Sequence, residues 1–590
     1  MWYFPGLDTP RDAWYIQNMA SLQRLRVRGY TYWRIVESRR IGGRPRPVPV
    51  LHLGTPEQLL ARLRAAAGGR LRVHSFRHGD VAALKAMADR LDVAALIDER
   101  VRRRGRRRRG SPSVGTTLVL AAINRAVQPR SKRGWASWAE TTSVAHLFGV
   151  RCGQLTSQHF WEQMDAVGSE ALERIEAELT RRVVELTGVR LDTLFYDTTN
   201  FFTYISSGND RTELARRGHS KQHRSDLRQF SLALLVARDG QIPLCSHLYE
   251  GNVVDVTVFP QALSRIRRRL EELVGGLEEL TLVFDKGNNS RANQVRVDEG
   301  PLHYVGSLVP SQQPGLMRIP RRDYTVLESG ALRGLEVYRC QRQLWGQRRT
   351  VVMFLSERLR AGQIRGFNQQ LSRRVRELTE WREALGKPRS GPRKLEALLE
   401  RLRRLHSGQY LREVLKVDFD PRGSGSGRLR WRIDSRAVEH LHEEVFGKRI
   451  LMTDRHEWST EEIILAYRGQ SRAEAAFRQL KNPYHLAVRP QYHWTDQKLR
   501  VHAFACLLGL VLARLVEWEA RRAGWSGSLS GLLELLGSVR LAMALRTTGA
   551  AKGGRPRCGW LLERAEPAAM RMFRKLVPDE APFVYTALPL

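Results

Sequence analysis

Between Arg190 and Pro310 the apolar pattern switches from the helical period to that of strands, and this limits the fold more than anything else in the chain. "RLDTLFYDTTNFFTYI" (190–205) reads as a strand. "DLRQFSLALLVARDGQIPLCSHLYEGN" (226–252) reads as two strands joined around Asp239 and Gly240. "DVTVFPQALSRIRRRLEEL" (255–273) is an amphipathic helix. "LEELTLVFDKGNNS" (277–290) is a fourth strand, "SRANQVRVDEG" a short helix and "PLHYVGSLVP" a last strand. Strands joined by hairpins and then alternating with helices predict a mixed α/β sheet flanked by helices.

The flanking segments follow other rules. "YTYWRIVESRRIGGRPRPVPVLHLG" (30–54) predicts a β-hairpin turning at Gly42 and Gly43, either a DNA-touching surface or a small sheet with one solvated face. "RRRGRRRRG" (102–110) is a solvated linker or a phosphate-contacting arm, and the basic chain favours the arm. Residues 1–112 are therefore expected to form a β-hairpin and basic DNA-binding region, and 113–190 a helical one. Residues 311–448 break the α/β rhythm with two hairpin-like arms and a long basic helical stretch, itself broken by "GKPRSGP" (386–392), which predicts an inserted module. Residues 449–512 return to the core, and 513–590 are expected to be helical. The greasy run Ala503 to Trp518, interrupted by Arg514, falls short of a bilayer span and reads as a buried core helix.

Charge narrows the function. The chain has 98 Lys and Arg against 61 Asp and Glu, a net +37 over 590 residues. Such a chain repels itself unless something anionic shares its surface, and nucleic acid is the leading partner. A membrane surface ranks far behind, because no clean amphipathic anchor is present. Cys152, Cys245, Cys340, Cys506 and Cys558 form no C-x-x-C pair, which argues against a zinc site of familiar spacing and against a disulfide framework. A reducing cytoplasm and the lack of a signal-peptide pattern are expected together.

Three acids stand out by position. Asp197 lies in the first strand, Asp285 ends the fourth, and Glu474 sits on a helix after the insertion, in "SRAEAAFRQLK". Adjacent strands could bring the aspartates together, and a helix crossing the sheet could add the glutamate. Such oxygen ligands suit two Mg²⁺ ions, hard cations that bind substrate phosphates. Each acid has a plainer reading: Asp197 and Asp285 as turn residues, and Glu474 completing a capping box with Ser471. At 3.6 residues per turn Tyr467, Glu474, Arg478 and Lys481 share a face, beside an apolar stripe of Ala473, Phe477 and Leu480. A solvated face with an internal Glu474–Arg478 pair is the alternative, and Gly469 weakens the place of Tyr467 in the row.

These residues resemble the DDE transposases of bacterial insertion sequences, of the insertion-sequence-four type or a related branch. That family carries a Tyr-x2-Arg-x3-Glu-x6-Lys signature, matched here by Tyr467, Glu474 and Lys481. The Arg position is Gln470, with Arg468 and Arg472 nearby, so one phosphate contact does not carry over. "YDTTNFFTY", "RRGHSKQHRSDLRQFSLALLVARDGQIPL" with "EGNVVDVTVF", and "RPQYHWTDQKLRVHAFACLLGL" are also similar. The resemblance covers roughly 30–512. It implies a ribonuclease H-like core with a β-rich insertion before the glutamate. It implies Asp197, Asp285 and Glu474 as catalytic metal ligands for two Mg²⁺ ions, with Mn²⁺ able to substitute. Tyr467, Arg478 and Lys481 are expected to hold the DNA backbone, with double-stranded terminal repeats and target DNA as partners and a homodimer on paired ends. The implied reaction cuts transposon ends and joins the freed 3′ hydroxyl to target DNA. A nuclease of the same fold without strand transfer, or an inactive DNA-binding relative, are the alternatives.

Overall fold

The computed structural model describes residues 20–27, 29–41, 44–60, 71–101, 111–218, 224, 226–387, 395–405, 408–420, 428–489, 491–546 and 557–578. The arginine block 102–110 lies outside them, as do the Gly42–Gly43 turn and 388–394 of the insertion. The chain divides into two units, one of residues 83–139 with 148–533, the other of 1–82, 140–147 and 534–590.

The larger unit is built on a nine-stranded sheet. Helix α1 (Val114–Val127) and helix α2 (Ser169–Thr187) precede it. Then come β1 (Thr193–Phe202), β2 (Gln229–Ala237), β3 (Pro243–Glu250), α3 (Asp255–Val274), β4 (Thr281–Phe284), α4 (Arg291–Asp298) and β5 (His303–Ser307). This is the expected order of three strands, helix, strand, helix, strand. β1 pairs antiparallel with β2 and parallel with β4; β2 pairs antiparallel with β3, and β4 parallel with β5. The order 3-2-1-4-5, with the second strand reversed, is a ribonuclease H-like sheet. β2 and β4 are buried along their whole length, as their largely apolar sequences require, with Gln229, Ser231 and Thr281 buried among them.

Pro260 lies inside α3, and its missing N–H would leave the Val256 carbonyl bare. Asn293 of α4 fills the gap, its Nδ2 donating to Val256 O at 2.8 Å. A proline that costs one helix a backbone bond thereby fastens the next to it.

The insertion divides in two. β6 (Thr325–Val326), β7 (Glu336–Leu344) and β8 (Gln347–Leu355) continue the main sheet, reached through β11 (Lys448–Thr453), which pairs antiparallel with both β8 and β5. Between β8 and β11 lie α5 (Glu357–Gly386), α6 (Leu395–Leu405) and a two-stranded ribbon, β9 (Leu415–Phe419) with β10 (Leu429–Ile433). These close on a core of their own that includes Phe367, Leu378, Trp381, Leu411 and Phe446. The first hairpin-like arm thus belongs to the sheet and the second to the separate core. The buried apolar half of β8, "TVVMFL", explains why it joins a sheet interior.

After β11 come α7 (Thr460–Arg468), α8 (Ser471–Lys481) and α9 (Asp496–Arg522). At 27 residues α9 is longer than the sequence pattern marks out, and long and apolar enough to cross a membrane. The expected shortfall in length is corrected, whereas burial holds: 94% of its apolar window is buried in the protein. Arg514 pairs inside with Glu517 at 2.6 Å. Gly509 lets α9 approach α1 so closely that an added Cβ would sit 2.7 Å from Ala122 O.

In the smaller unit the predicted hairpin is present as Tyr30–Ile41 against Arg44–Gly54, with Ala20–Val27 adding a third strand. A second sheet pairs Leu71–Arg77 with Arg540–Arg546, and the latter with Arg557–Leu562. The C-terminal region is therefore helices joined by two strands. Those strands were invisible because "RLAMALR" has no telling period and its partner lies far back in the sequence.

The insertion's own core predicts a local lesion. Leu378→Ala should destabilise by about 2–5 kcal/mol, the usual cost of truncating a fully buried leucine. Thermal unfolding with proteolysis mapped to 357–446 checks it.

Candidate active site

The register of β1 on β4 decides where the aspartates fall. Tyr196 lies opposite Phe284 in the parallel pair, so the residues that follow, Asp197 and Asp285, stand at the same level on neighbouring strands. Neighbouring strands are about 4.8 Å apart. β4 ends at Phe284 and the chain turns, which places Asp285 at a carboxyl end of the sheet, the edge where α/β sheets bind ligands.

The turn itself is built from side chains. Asn288 N donates to Asp285 O at 3.0 Å, and Asn289 Nδ2 reaches Ser307 O on β5 at 2.9 Å. Asn293 Nδ2 donates to Asn288 O at 2.8 Å, and Ser290 caps α4. Turn chemistry and ligand presentation are one structure here. Lys286 is exposed at its tip.

The helices arrive on the other side of the problem. Phe195, Asp197, Thr199 and Phe201 share a face of β1 by strand alternation. Gly469 sits so close to that face that an added Cβ would lie 2.4 Å from Phe195 Cζ. Arg472 lies 5.6 Å over the Phe195 ring. Lys481 Nζ donates to Thr199 Oγ1 at 2.5 Å and lies 5.6 Å from the Phe201 ring. Helix α8 therefore runs along β1 from Phe195 to Phe201 and carries Glu474 past the level of Asp197. Ala473, Phe477 and Leu480 are buried, as the apolar stripe predicts.

Glu474 is exposed and makes no ion pair among the described residues. The Glu474–Arg478 pair is not formed there, and Arg478 is exposed. The capping-box reading of Glu474 also fails: the cap residue is Gln470, without a side-chain cap bond. The box lies one helix earlier, between Ser459 and Glu462. Asp197 accepts from the Thr198 N–H at 2.8 Å.

Tyr467 occupies a different place from the one its helical spacing suggests. It is buried, and its hydroxyl donates to Asp285 Oδ1 at 3.1 Å while accepting from Arg449 Nη1 at 3.0 Å. Burial, then the Asp285 carboxylate, push its hydroxyl up to about 12, so it stays a donor. Its hydroxyl is spent on Asp285 rather than turned to an open DNA surface. Arg449, on β11, carried no sequence signal. Gly469 did carry one, as a break in the helix, and its role is to let the helix touch Phe195.

The family model of the transposase DDE domain matches residues 193–510, more than half of the chain. The chain belongs to the DDE transposase family. Like its family, this transposase is a DNA-cleaving enzyme of transposition. Two solved structures resemble it loosely. One is piggyBac transposase in a synaptic complex with hairpin DNA, at 7% identity, covering 87% of this chain and 86% of that one, with a TM-score of 0.38. The other is a Mos1 transposase paired-end complex with the left transposon end, at 12% identity, 34% and 59% coverage and a TM-score of 0.14. Neither superposition is close enough to bear weight. No curated protein matches the chain.

DDE transposases work with divalent metal. Among the described residues no three His, Cys, Asp or Glu side chains converge on a ready-made metal cluster. The transposase does have two half-exposed carboxylates side by side and a third acid on the helix above, a hard-oxygen set that suits such an ion.

Tyr467→Phe removes the donor to Asp285 and leaves the ring. Losing such a supporting bond typically costs about 10–100-fold in metal affinity or activity. A divalent-metal titration of cleavage should shift accordingly, while a mobility-shift assay should show unchanged DNA affinity. Gly469→Val should lower both the melting temperature and cleavage, because the α7–α8 junction must lift off Phe195.

Proposed function

We propose that this transposase belongs to the insertion-sequence-four type of bacterial element or a related branch, and cuts transposon-end DNA before joining the 3′ hydroxyl to target DNA. The observation that carries the reading is the pairing of Asp197 with Asp285 beneath the Glu474 helix, within the family-matched segment. Asp197, Asp285 and Glu474 would hold the metal, Mg²⁺ with Mn²⁺ able to substitute. When bound, two such ions activate an attacking oxygen and stabilise the leaving 3′ oxygen of an in-line displacement.

The chain's own groups divide the remaining work. Tyr467, itself held by Arg449, fixes the orientation of Asp285 and leaves its second oxygen for metal. Arg478 and Lys481 hold the phosphate backbone, a contact that positions DNA without reading sequence. Lys481 is braced by Thr199, two residues beyond Asp197, so phosphate binding and the acid share one strand. The transposase works on double-stranded terminal repeats and target DNA as a homodimer on paired ends, in the bacterial cytoplasm. Five cysteines outside any disulfide agree with that reducing compartment, and the +37 charge agrees with the DNA partner.

Asp197→Asn, Asp285→Asn and Glu474→Gln should each abolish cleavage and joining of end-labelled transposon DNA, with affinity kept within about tenfold. Wild-type cutting by any one of them refutes the assignment. Binding should fall steeply with salt, because each neutralised phosphate releases counterions. A flat salt profile argues against a phosphate-dominated interface. Hydrolysed ends without joined products would make the protein a nuclease instead.

A further inference from the structure

On the face of β1 away from Asp197 lies a hydrogen-bonded group to which the reaction described above gives no part. Tyr196, Thr198 and Asn200 share that face by strand alternation. Thr198 stands opposite Ala233 of β2, and Ala233 opposite His247 of β3. Asn200 stands opposite Ser231, and Ser231 opposite Tyr249. Ala233 and Ser231 are short, so the Tyr249 ring has room to pass over β2. Its hydroxyl hydrogen-bonds the hydroxyls of both Thr198 and Ser231. Tyr249, Thr198 and Ser231 are each buried.

The Tyr249 hydroxyl is fully used. It donates to Asp255 Oδ1 at 2.7 Å and accepts from Thr198 and Ser231. One proton and two lone pairs are all that a tyrosine hydroxyl offers. Ser231 in turn accepts from Asn200 Nδ2 at 3.0 Å. Burial, then the Asp255 charge, push the Tyr249 hydroxyl far above its usual range, so it stays a donor. Asp255 opens α3, where the helix dipole favours a carboxylate. Gly251 lies in the turn between them, where an added Cβ would collide with Gln229 O. The stretch "EGNVVDVTVF" (250–259) thus brings a carboxylate back to the tyrosine just before it.

This line of bonds ends at one of the three acids. Thr198 N donates to Asp197 Oδ1 at 2.8 Å. β4 pairs with β1 only as far as Tyr196, so Asp197 and Thr198 lie beyond the last strand contact on that side. The side chain of Thr198, held by Tyr249, adds the restraint that β4 does not supply. Asp285 is held in a parallel way, its Oδ1 taken by Tyr467.

We propose that Tyr249, braced by Asp255, is a positioning residue that acts through Thr198 to present Asp197 to divalent metal. The proposal rests on the reading of Asp197 as a metal ligand and adds the support behind it.

The test measures Mn²⁺ binding to the full-length chain, from the electron paramagnetic resonance signal of the free ion, beside the Mg²⁺ midpoint of cleavage. Tyr249→Phe keeps the ring. It should weaken Mn²⁺ binding and raise the Mg²⁺ midpoint by about tenfold, the lower end for loss of such a support. Cleavage at saturating metal should stay near wild type, and unchanged DNA affinity shows that the variant is folded. Thr198→Val should behave alike, and the double variant should be no worse than either, because both cut one path. Ser231→Ala touches the same hydroxyl off that path and should leave Mn²⁺ binding as it was. Asp255→Asn keeps an acceptor for the tyrosine and should bind Mn²⁺ more tightly than Asp255→Ala. Wild-type Mn²⁺ binding by Tyr249→Phe, an equal loss in Ser231→Ala, or additive losses in the double variant overturns the positioning role and leaves the transposase reading intact. Wild-type Mn²⁺ binding by Asp197→Asn overturns instead the reading of Asp197 itself.

Discussion

One parallel strand pair holds the candidate site together. Because side chains alternate along a strand, a one-residue slip of β4 against β1 would send Asp285 to the opposite face from Asp197. β4 is only four residues long and buried on both sides, so its own pattern cannot fix the register. The ends fix it. Thr281 N donates to Asp192 O at 2.9 Å as the pair begins. Arg455 bonds Thr281 Oγ1 at 3.2 Å and Glu279 O at 2.9 Å. At the far end Asn289 ties the turn to β5. One clamp is backbone to backbone and the other two are polar side chains, and each sits at a strand terminus, where a slip would cost a bond.

The insertion is coupled to the same point. It leaves after β5 and returns through β11, which pairs with β5 and delivers Arg449 to Tyr467. Asp454, just past β11, accepts from Tyr304 N at 3.0 Å and lies 2.8 Å from His303 Nδ1. The sheet thus passes from the aspartate strands through β5 to the insertion without a break. A shift in the insertion's anchoring strand would be felt at Asp285 through two hydrogen bonds.

Much of this was legible in the chain, for physical reasons. Strands buried on both faces write themselves as apolar runs, and the order of strands and helices around Asp197 and Asp285 follows from those runs and their turn residues. The apolar stripe of Ala473, Phe477 and Leu480 predicted the packed face of the Glu474 helix. What stayed hidden are contacts between residues far apart that have no period of their own. Arg449 to Tyr467, Asn293 to Val256 and Arg540–Arg546 to Leu71–Arg77 are of this kind. Tyr467 shows the limit of helical spacing: it lies on the helix before the one that carries Glu474, and only the fold turns its hydroxyl inward to a carboxylate.

The order in which the acids occur along the chain has a bearing on synthesis. The strands that carry Asp197 and Asp285 are complete by residue 307, yet Glu474 follows only after the insertion has been made and β11 has returned to the sheet. A polypeptide interrupted anywhere in between possesses two of the three acids and a basic surface, and lacks the third. An unfinished or truncated product therefore never assembles the full set of acids.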